Sequence, residues 1–289
     1  MNRILAGQLR TLLILGRASN LPTIWSNCLA GWWLSGGGNA AKVPLLLAGA
    51  SALYLGGMFL NDAFDEKFDR QRRAVRPIPA GLISAAAVWR FGWGWLALGL
   101  ALLWLTGPAA GVLGLVLVAC ILVYDATHKL ITASPWLMGL CRFWVYVIAG
   151  TTGADGLNGW SVWCGLALVL YIAGLSHVAR RENLRGPVPC WPLILLAAPL
   201  FLALLMNQAE YRWPAVWLGL VLALWVARCV WTVFTSAPVN VIPVVSGLLA
   251  GIALVDWLAV APECPWGLGL VFLILFGATQ LWQQSIPAT

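Results

Sequence analysis

The residues with the clearest chemical potential lie between positions 61 and 81, where the chain reads NDAFDEKFDRQRRAVRPIPAG. Four of the ten acidic residues of the chain fall within the first nine positions of this stretch. Asn61, Asp65 and Asp69 are spaced four residues apart, so on an α-helix they share one face over two turns. Oxygen ligands without a nearby His or Cys favour a hard cation such as Mg²⁺, which takes one or two carboxylates together with phosphate oxygens.

Basic side chains are mixed with these acids and follow them. Arg73 and Arg76 close a run of five Lys and Arg residues between positions 67 and 76. A guanidinium fork matches the oxygens of a phosphate or diphosphate. With Asp62 in support, the stretch predicts a site for Mg²⁺ and a diphosphate at the end of an apolar segment. The alternative from the residues alone is a solvated, charge-balanced loop.

The rest of the 289-residue chain is strongly apolar, with 61% hydrophobic residues, 9% charged residues and a mean hydropathy of +0.86. A soluble domain has about 25% charged residues. Repeated apolar stretches of about 20 residues predict an integral membrane protein. The net charge of +7 then indicates basic loops beside anionic lipid headgroups, so the bilayer is the expected partner and nucleic acid is not.

Ten apolar segments follow one another along the chain, and they predict nine or ten membrane spans in a single domain over residues 1–289. The segments lie at 20–35, 43–61, 86–106, 108–124, 134–152, 159–178, 190–207, 214–234, 242–261 and 266–284. The expected fold class is all-α, a polytopic bundle of membrane helices.

Lys and Arg residues concentrate in alternate loops. They precede the first apolar segment and follow the second and the sixth, with a smaller group after the fourth, whereas the intervening loops carry little positive charge. By the positive-inside rule, the N-terminus and the charged loops are expected on the cytoplasmic side of the cell (inner) membrane.

The motif NDAFDEKFD, followed by RPIPAG, resembles the first aspartate-rich motif of the UbiA superfamily of intramembrane prenyltransferases. In that family the pattern is NDxxDxxxD followed by a basic run and RP-x-P-x-G. RASNLPTIWSNCLAG, which contains Arg17 and Asn20, is similar to the Arg-containing first helix of the family. YDATHK, which begins at Tyr124, is similar to the Tyr-x-x-x-Lys loop after the fourth span.

This resemblance implies a bundle of about nine transmembrane helices around a central cavity, and prenyl transfer as the activity. Family members hold a polyprenyl diphosphate through Mg²⁺ on two aspartate-rich motifs, and an acceptor, often aromatic, captures the allylic cation that forms when diphosphate leaves. The implied metal ligands are Asn61, Asp65 and Asp69, which are also the catalytic candidates. The partners that the resemblance implies are a polyprenyl diphosphate, a small acceptor of the aromatic kind often used in the family, and the bilayer.

The second aspartate-rich motif of the family is degraded in this chain. The corresponding stretch reads YIAGLSHVARRENLRG, in which Glu182 is the candidate metal ligand and Arg181 a candidate substrate contact. Two interpretations stay open. Either Arg side chains supply the positive charge of the missing metal, or the chain is a non-catalytic isoprenoid-binding or transport protein on the same fold.

Further candidates are polar residues at segment ends and one Arg inside a segment. An Arg inside a membrane span nearly always faces a cavity or a partner, so Arg142 is predicted to contact substrate or to pair with Asp125 or Asp256. For Asp125, three roles stay open: a ligand, an acceptor-binding acid or an ion-pair partner of Lys129. The predicted substrate-binding residues are Arg17, Asn20, Asp62, Arg73, Arg76, Tyr124, Lys129, Arg142, His177 and Arg181.

Overall fold

The structure is a computed structural model that describes residues 2–180, 191–235 and 241–288. Over these ranges the regular secondary structure is helical. The first half of the chain forms α1 (Asn2–Leu15), α2 (Leu21–Leu34), α3 (Val43–Phe64), α4 (Glu66–Arg72), α5 (Ala85–Thr106), α6 (Pro108–Thr127) and α7 (Ser134–Gly150). The second half forms α8 (Gly159–Ala179), α9 (Trp191–Leu196), α10 (Ala198–Met206), α11 (Arg212–Thr235), α12 (Val241–Ala250), α13 (Ile252–Val260) and α14 (Trp266–Gln283).

Helices occupy all ten apolar segments identified in the sequence. Within the described ranges, seven helical stretches are long and apolar enough to cross a membrane. The predicted class, an all-α polytopic membrane bundle, is therefore confirmed. α2, α7 and the α9–α10 pair are shorter apolar helices that complete the bundle.

Local capping chemistry explains where several helices begin. Pro22, Pro44 and Pro108 lie in the first turn of α2, α3 and α6, where a backbone N–H would have no intrahelical acceptor. Ser84 caps α5 by accepting a hydrogen bond of 3.3 Å from the backbone N–H of Ala87. A side-chain oxygen at this position satisfies one of the free N–H groups of the first turn.

The most extensive helix pair is α3 with α5, and small residues allow its close approach. A Cβ atom added at Gly99 would lie 2.8 Å from the backbone nitrogen of Leu53, and one added at Gly56 would lie 2.8 Å from Leu96 Cδ2. Small residues at helix crossings let backbones approach closely in membranes, where packing drives helix association. This contact fixes the position of the C-terminal end of α3, which carries the acidic motif.

The break between α12 and α13 lies beside a buried tyrosine. The Tyr171 hydroxyl donates a 2.8 Å hydrogen bond to the carbonyl of Leu248 in the last turn of α12. A Cβ atom at Gly251, between the two helices, would lie 2.6 Å from that hydroxyl oxygen. A side chain inserted into a helix end in this way is a known cause of a bend, and α12 contributes side chains to the wall of the central cavity.

Candidate active site

A cavity of about 490 Å³ lies between α2, α3, α6, α7, α8 and α12. Much of its wall is apolar, with Ile24, Leu117, Ile172 and Val245 among the lining residues. Charged and polar lining side chains come from the residues before α2, the residue after α4, the end of α6, the middle of α7 and the end of α8. They include Arg17, Asn20, Arg73, Tyr124, Asp125, His128, Arg142 and Arg180. The cavity therefore joins apolar walls to a set of mostly cationic groups.

The acidic motif keeps one helical register although two helices share it. The backbone N–H of Asp65 donates to the carbonyl of Asn61 (3.0 Å), and the N–H of Asp69 donates to the carbonyl of Asp65 (2.9 Å). These bonds continue the i to i−4 pattern across the junction of α3 and α4. The three side chains predicted to share a face therefore follow one another in helical register.

Arg17 connects the start of the bundle to this motif. Its Nη2 donates to Asn61 Oδ1 (3.2 Å) and to Asp62 Oδ1 (3.4 Å). The backbone of Arg17 is left-handed, with a φ of 42°. A non-glycine residue in this region is uncommon, and such strain is typical of functional positions. Arg76 holds the same Asp62 oxygen from the other side (3.3 Å).

Asp65 contacts two basic side chains at the end of α6 and in the loop that follows it. Lys129 Nζ lies 2.6 Å from Asp65 Oδ1, and His128 Nε2 lies 3.4 Å from Asp65 Oδ2. Burial alone would raise the pKa of the Asp65 carboxyl, but the hydrogen bonds from His128 and Lys129 outweigh burial and lower the pKa below its usual value. For His128, burial lowers the pKa while Asp65 raises it, and the net effect is a raised pKa.

Besides its contact with Asp65, the ring of His128 has two further sets of neighbours. Its Nδ1 lies 3.2 Å from the backbone carbonyl oxygens of both Tyr124 and Asp125, so Nδ1 carries the donated proton. The ring also stacks on Tyr124 with centroids 5.1 Å apart.

Lys129 places its ammonium 3.7 Å from the centroid of the Phe68 ring, a favourable cation–π distance.

The oxygen-rich face fits Mg²⁺ when phosphate oxygens complete its shell. Asp69 is only 4% exposed, yet among the described residues no side chain donates a hydrogen bond to its carboxylate. Burial raises the pKa of the Asp69 carboxyl. The negative charges of Asp65 and Asp62 raise this pKa further, while the positive charges of Arg76 and Lys129 offset part of the increase. Within the described ranges, no three His, Cys, Asp or Glu side chains converge as a protein-only cage. Mg²⁺ requires no such cage, since it prefers one or two carboxylates together with substrate phosphates.

Asp125 occupies the same polar layer as Asn61. Asn61 Nδ2 donates to Asp125 Oδ1 (3.0 Å), while Asp125 Oδ2 is buried without a hydrogen-bond partner. The ion pair with Lys129 that the sequence left open is not formed, because Lys129 pairs with Asp65. The side chain that satisfies one oxygen of Asp125 is therefore an amide.

Arg142 lines the cavity, as an Arg inside a membrane span was expected to do. Its Nη1 donates to Asn27 Oδ1 (2.8 Å) and its Nη2 to Thr23 Oγ1 (3.1 Å). Neither Asp125 nor Asp256 forms an ion pair with it. Instead Asp256 accepts from Asn27 Nδ2 at 2.7 Å, so the carboxylate supports the guanidinium through an intervening amide.

Two predicted contacts have different neighbours from those expected. Asn20 lines the cavity, but its Nδ2 donates to the carbonyl of Ala288 (2.9 Å) and its Oδ1 accepts from Gln283 Nε2 (3.4 Å). His177 does not belong to the residues that line the cavity, because its ring packs against Trp191 with centroids 4.4 Å apart. Arg181 and Glu182 lie outside the described residues.

Two cavity residues were missed as site residues in the sequence. His128 stands at the position where the family pattern has Lys, and that substitution hid its contact with Asp65. Arg180 donates to Ser134 Oγ (2.5 Å) and to the carbonyl of Thr132 (2.9 Å), which places it beside the loop after α6. The basic run at 180–185 was a signal for Arg180, but the run alone does not show which Arg faces the cavity.

The helical bundle and its cavity, in which apolar walls meet a set of mostly basic side chains, define a polytopic membrane protein with an internal binding cavity. The model of the UbiA prenyltransferase family matches residues 21–195. The chain belongs to this family.

Similar proteins agree with that assignment. A digeranylgeranylglyceryl phosphate synthase from Ignicoccus hospitalis is 37% identical over 106 residues, which are 37% of this chain and 35% of that relative. The match thus spans about a third of the relative's length. A solved UbiA homologue from Archaeoglobus fulgidus, bound to GPP and Mg²⁺, has a TM-score of 0.66 at 14% identity and covers 93% of this chain and 99% of its own.

A second solved structure, of a digeranylgeranylglyceryl phosphate synthase, has a TM-score of 0.60 at 17% identity over 94% of this chain and 99% of its own. The apo structure of a UbiA homologue from Aeropyrum pernix K1 has a TM-score of 0.52 at 20% identity over 94% and 98%. At these identities the likeness concerns the fold.

Proposed function

We propose that this protein transfers a prenyl group from a polyprenyl diphosphate to a second substrate inside the membrane. One observation carries the proposal. Asn61 and Asp65 directly contact Arg17 (3.2 Å) and His128 (3.4 Å), which line the apolar cavity, and Asp69 follows Asp65 in helical register. An apolar cavity with charge at one end suits a hydrocarbon chain with a diphosphate head.

In this proposal Asn61, Asp65 and Asp69 hold Mg²⁺, with Asp62 in support. When bound, Mg²⁺ supplies the charge stabilisation that a departing diphosphate needs. Arg17, Arg73 and Arg76 add fixed positive charge near the diphosphate. The apolar walls exclude water from the carbon centre. The sequence-based roles of Arg181 and Glu182 at this layer stay predictions.

The acceptor has two candidate types. The sequence resemblance favours an aromatic acceptor. The name of the Ignicoccus relative points to a glyceryl phosphate, and the cavity residues Arg142 and Arg180 suit an anionic group of that kind. The basic loops support a cytoplasmic position for the N-terminus and the site, and one domain over residues 1–289 remains our proposed organisation.

The test measures diphosphate release from geranyl, farnesyl and geranylgeranyl diphosphate by the purified protein, with and without Mg²⁺ and with each acceptor type. We expect Mg²⁺-dependent release that falls by about a hundredfold or more in Asp65→Ala, since such charge-stabilising groups contribute this much. Glu66→Ala is the matched control, because Glu66 pairs with Arg70 on the outer surface of α4 (2.8 Å).

Equal release by Asp65→Ala and the wild-type protein contradicts the proposed site. Binding of prenyl diphosphates without turnover for any acceptor supports instead the non-catalytic isoprenoid-binding or transport alternative.

A further inference from the structure

Asp125 differs in charge from the other ionisable groups around the cavity. Among the described residues that line it, Asp125 is the one carboxylate, whereas the cationic set is Arg17, Arg73, His128, Arg142 and Arg180. Asp125 is 4% exposed and lies near the end of α6, on the face that also presents Leu117, Ile121, Tyr124 and His128 to the cavity. A carboxylate repels an anionic ligand, so Asp125 does not help this cavity to bind an anion.

One of the two carboxylate oxygens of Asp125 has a hydrogen-bond partner and the other has none. Asp125 Oδ1 accepts a hydrogen bond from Asn61 Nδ2 (3.0 Å), whereas Oδ2 is buried with no partner. A buried acceptor left unpaired destabilises a protein, so such an atom needs an explanation. Rotation about the Asp125 Cβ–Cγ bond is soft, and it exchanges the two oxygens between Asn61 and the cavity side.

The hydrogen-bonded chain Arg17–Asn61–Asp125 also contains a buried donor without a partner. Arg17 Nη2 donates to Asn61 Oδ1 (3.2 Å), while Arg17 Nε is buried without a partner. Asn61 thus links a guanidinium with one free donor to a carboxylate with one free acceptor. A diphosphate oxygen suits the free donor, and a group that carries a proton suits the free acceptor.

A prenyl diphosphate cannot satisfy Asp125. Its ionised head offers acceptors alone, and its chain is hydrocarbon. Mg²⁺ at Asn61 would be bound by Oδ1, whereas Asn61 turns Nδ2 toward Asp125. Of the two substrates, the second is therefore the one that can supply a donor to Asp125. We propose that Asp125 binds a hydroxyl group of the acceptor substrate and so selects a hydroxyl-bearing acceptor.

This inference rests on the proposed function and gives its second substrate a chemical feature. Through Asn61, the hydroxyl lies next to the diphosphate held by Arg17. Such an arrangement brings the two substrates together at the polar layer, and holding reactants in place lowers the barrier to their reaction. Asp125 acts in this scheme as a binding and specificity residue.

The experiment uses pairs of probes that differ by one hydroxyl: a prenylglyceryl phosphate with its deoxy analogue, and hydroxybenzoate with benzoate. Each probe is bound directly to the purified, lipid-reconstituted protein in the presence of Mg²⁺ and a non-reactive thiolodiphosphate analogue of geranylgeranyl diphosphate, so that transfer does not consume the probe. For at least one pair we expect the wild-type protein to bind the hydroxyl member about tenfold more tightly. In Asp125→Ala the two members should bind equally.

Asp125→Asn keeps the shape of the side chain and sharpens the test. Because Asn61 Nδ2 needs the acceptor that Oδ1 now provides, the new amide nitrogen takes the place of Oδ2 and presents a donor. This variant should bind a methyl ether probe as tightly as the hydroxyl probe, because either oxygen accepts the new N–H, whereas the wild-type protein should bind the hydroxyl probe more tightly. A misfolded protein binds neither probe. Asp155→Asn, a carboxylate-to-amide change outside the cavity, should keep the wild-type preference.

The results separate the two claims. Equal binding of both members of every pair by the wild-type protein overturns the role of Asp125, and so does a preference that survives in Asp125→Ala. Absence of diphosphate release with every acceptor overturns the proposed transfer instead, while the binding comparison still decides the hydroxyl site.

Discussion

Lys129 Nζ lies 2.6 Å from Asp65 Oδ1, so the central carboxylate of the acidic motif is neutralised by the protein itself. The oxygen that binds the ammonium is one that we propose for Mg²⁺. Metal binding must therefore displace or share this contact. The freed ammonium then stands beside the diphosphate, so Lys129 exchanges one anionic partner for another.

Replacing Lys129 with Met separates these two roles. We expect the Mg²⁺ concentration for half-maximal diphosphate release to fall by about fivefold, because a partly exposed ion pair contributes about 1 kcal/mol. The KM for the prenyl diphosphate should rise, because a cation near the diphosphate is lost. Lys67→Met, at an exposed position of the neighbouring helix, should change neither value. A higher Mg²⁺ requirement in Lys129→Met contradicts the proposed competition.

Asp256 should be important for stability. It is fully buried and accepts from Ser26 Oγ (2.5 Å), Asn27 Nδ2 (2.7 Å) and the Tyr146 hydroxyl (2.5 Å). Asp256→Ala leaves the Asn27 and Tyr146 donors unpaired, while the Ser26 hydroxyl keeps the Thr23 carbonyl (3.0 Å). We expect the free energy of unfolding to fall by about 3 kcal/mol. Denaturant unfolding in detergent measures this. Glu263→Ala, at an exposed position in the same segment, should leave the free energy of unfolding unchanged. If Asp256→Ala also leaves it unchanged, these donors find other partners.

Residues 284–288 should exclude water from the site. The Ala288 carbonyl accepts from the cavity residue Asn20, and Ala288 itself lines the cavity. A protein truncated after Gln283 should therefore hydrolyse a larger share of the prenyl diphosphate relative to the share transferred, because water reaches the carbon centre. Product analysis with a labelled prenyl diphosphate gives this ratio. Gln284→Ala serves as the full-length control, and an unchanged ratio after truncation argues that other residues close the cavity.

Two glycines of α5 form a matched pair for testing helix packing. A Cβ atom at Gly99 would lie 2.8 Å from the backbone nitrogen of Leu53, whereas one at Gly94 meets nothing within 4 Å. Gly99→Ala should lower the free energy of unfolding by about 1–3 kcal/mol, since overpacking forces backbones apart. Gly94→Ala should raise it by about 0.5–1 kcal/mol through helix propensity. Equal effects of the two changes would mean that α3 and α5 can separate at no cost.

Local information in the sequence was sufficient for the helices and for the register of the acidic motif. All ten apolar segments are helical, because hydropathy sums over neighbouring residues and a bilayer leaves helices as the economical solution. Asn61, Asp65 and Asp69 follow one another in helical register because a spacing of four is a property of the helix itself. The family resemblance came from the same contiguous stretch.

Only the tertiary structure decided which charges meet. Lys129 lies four residues from Asp125 yet pairs with Asp65, while Asp125 takes Asn61 from another helix. Arg142 contacts Asn27, not Asp256, and Asn20 meets Ala288 near the other end of the chain. Such contacts depend on how helices cross, which follows from side-chain packing across the bundle. The sequence therefore determined the class of protein and the helical register of its acidic motif, and the packing of α2, α3, α6 and α7 determined which side chains meet around the cavity.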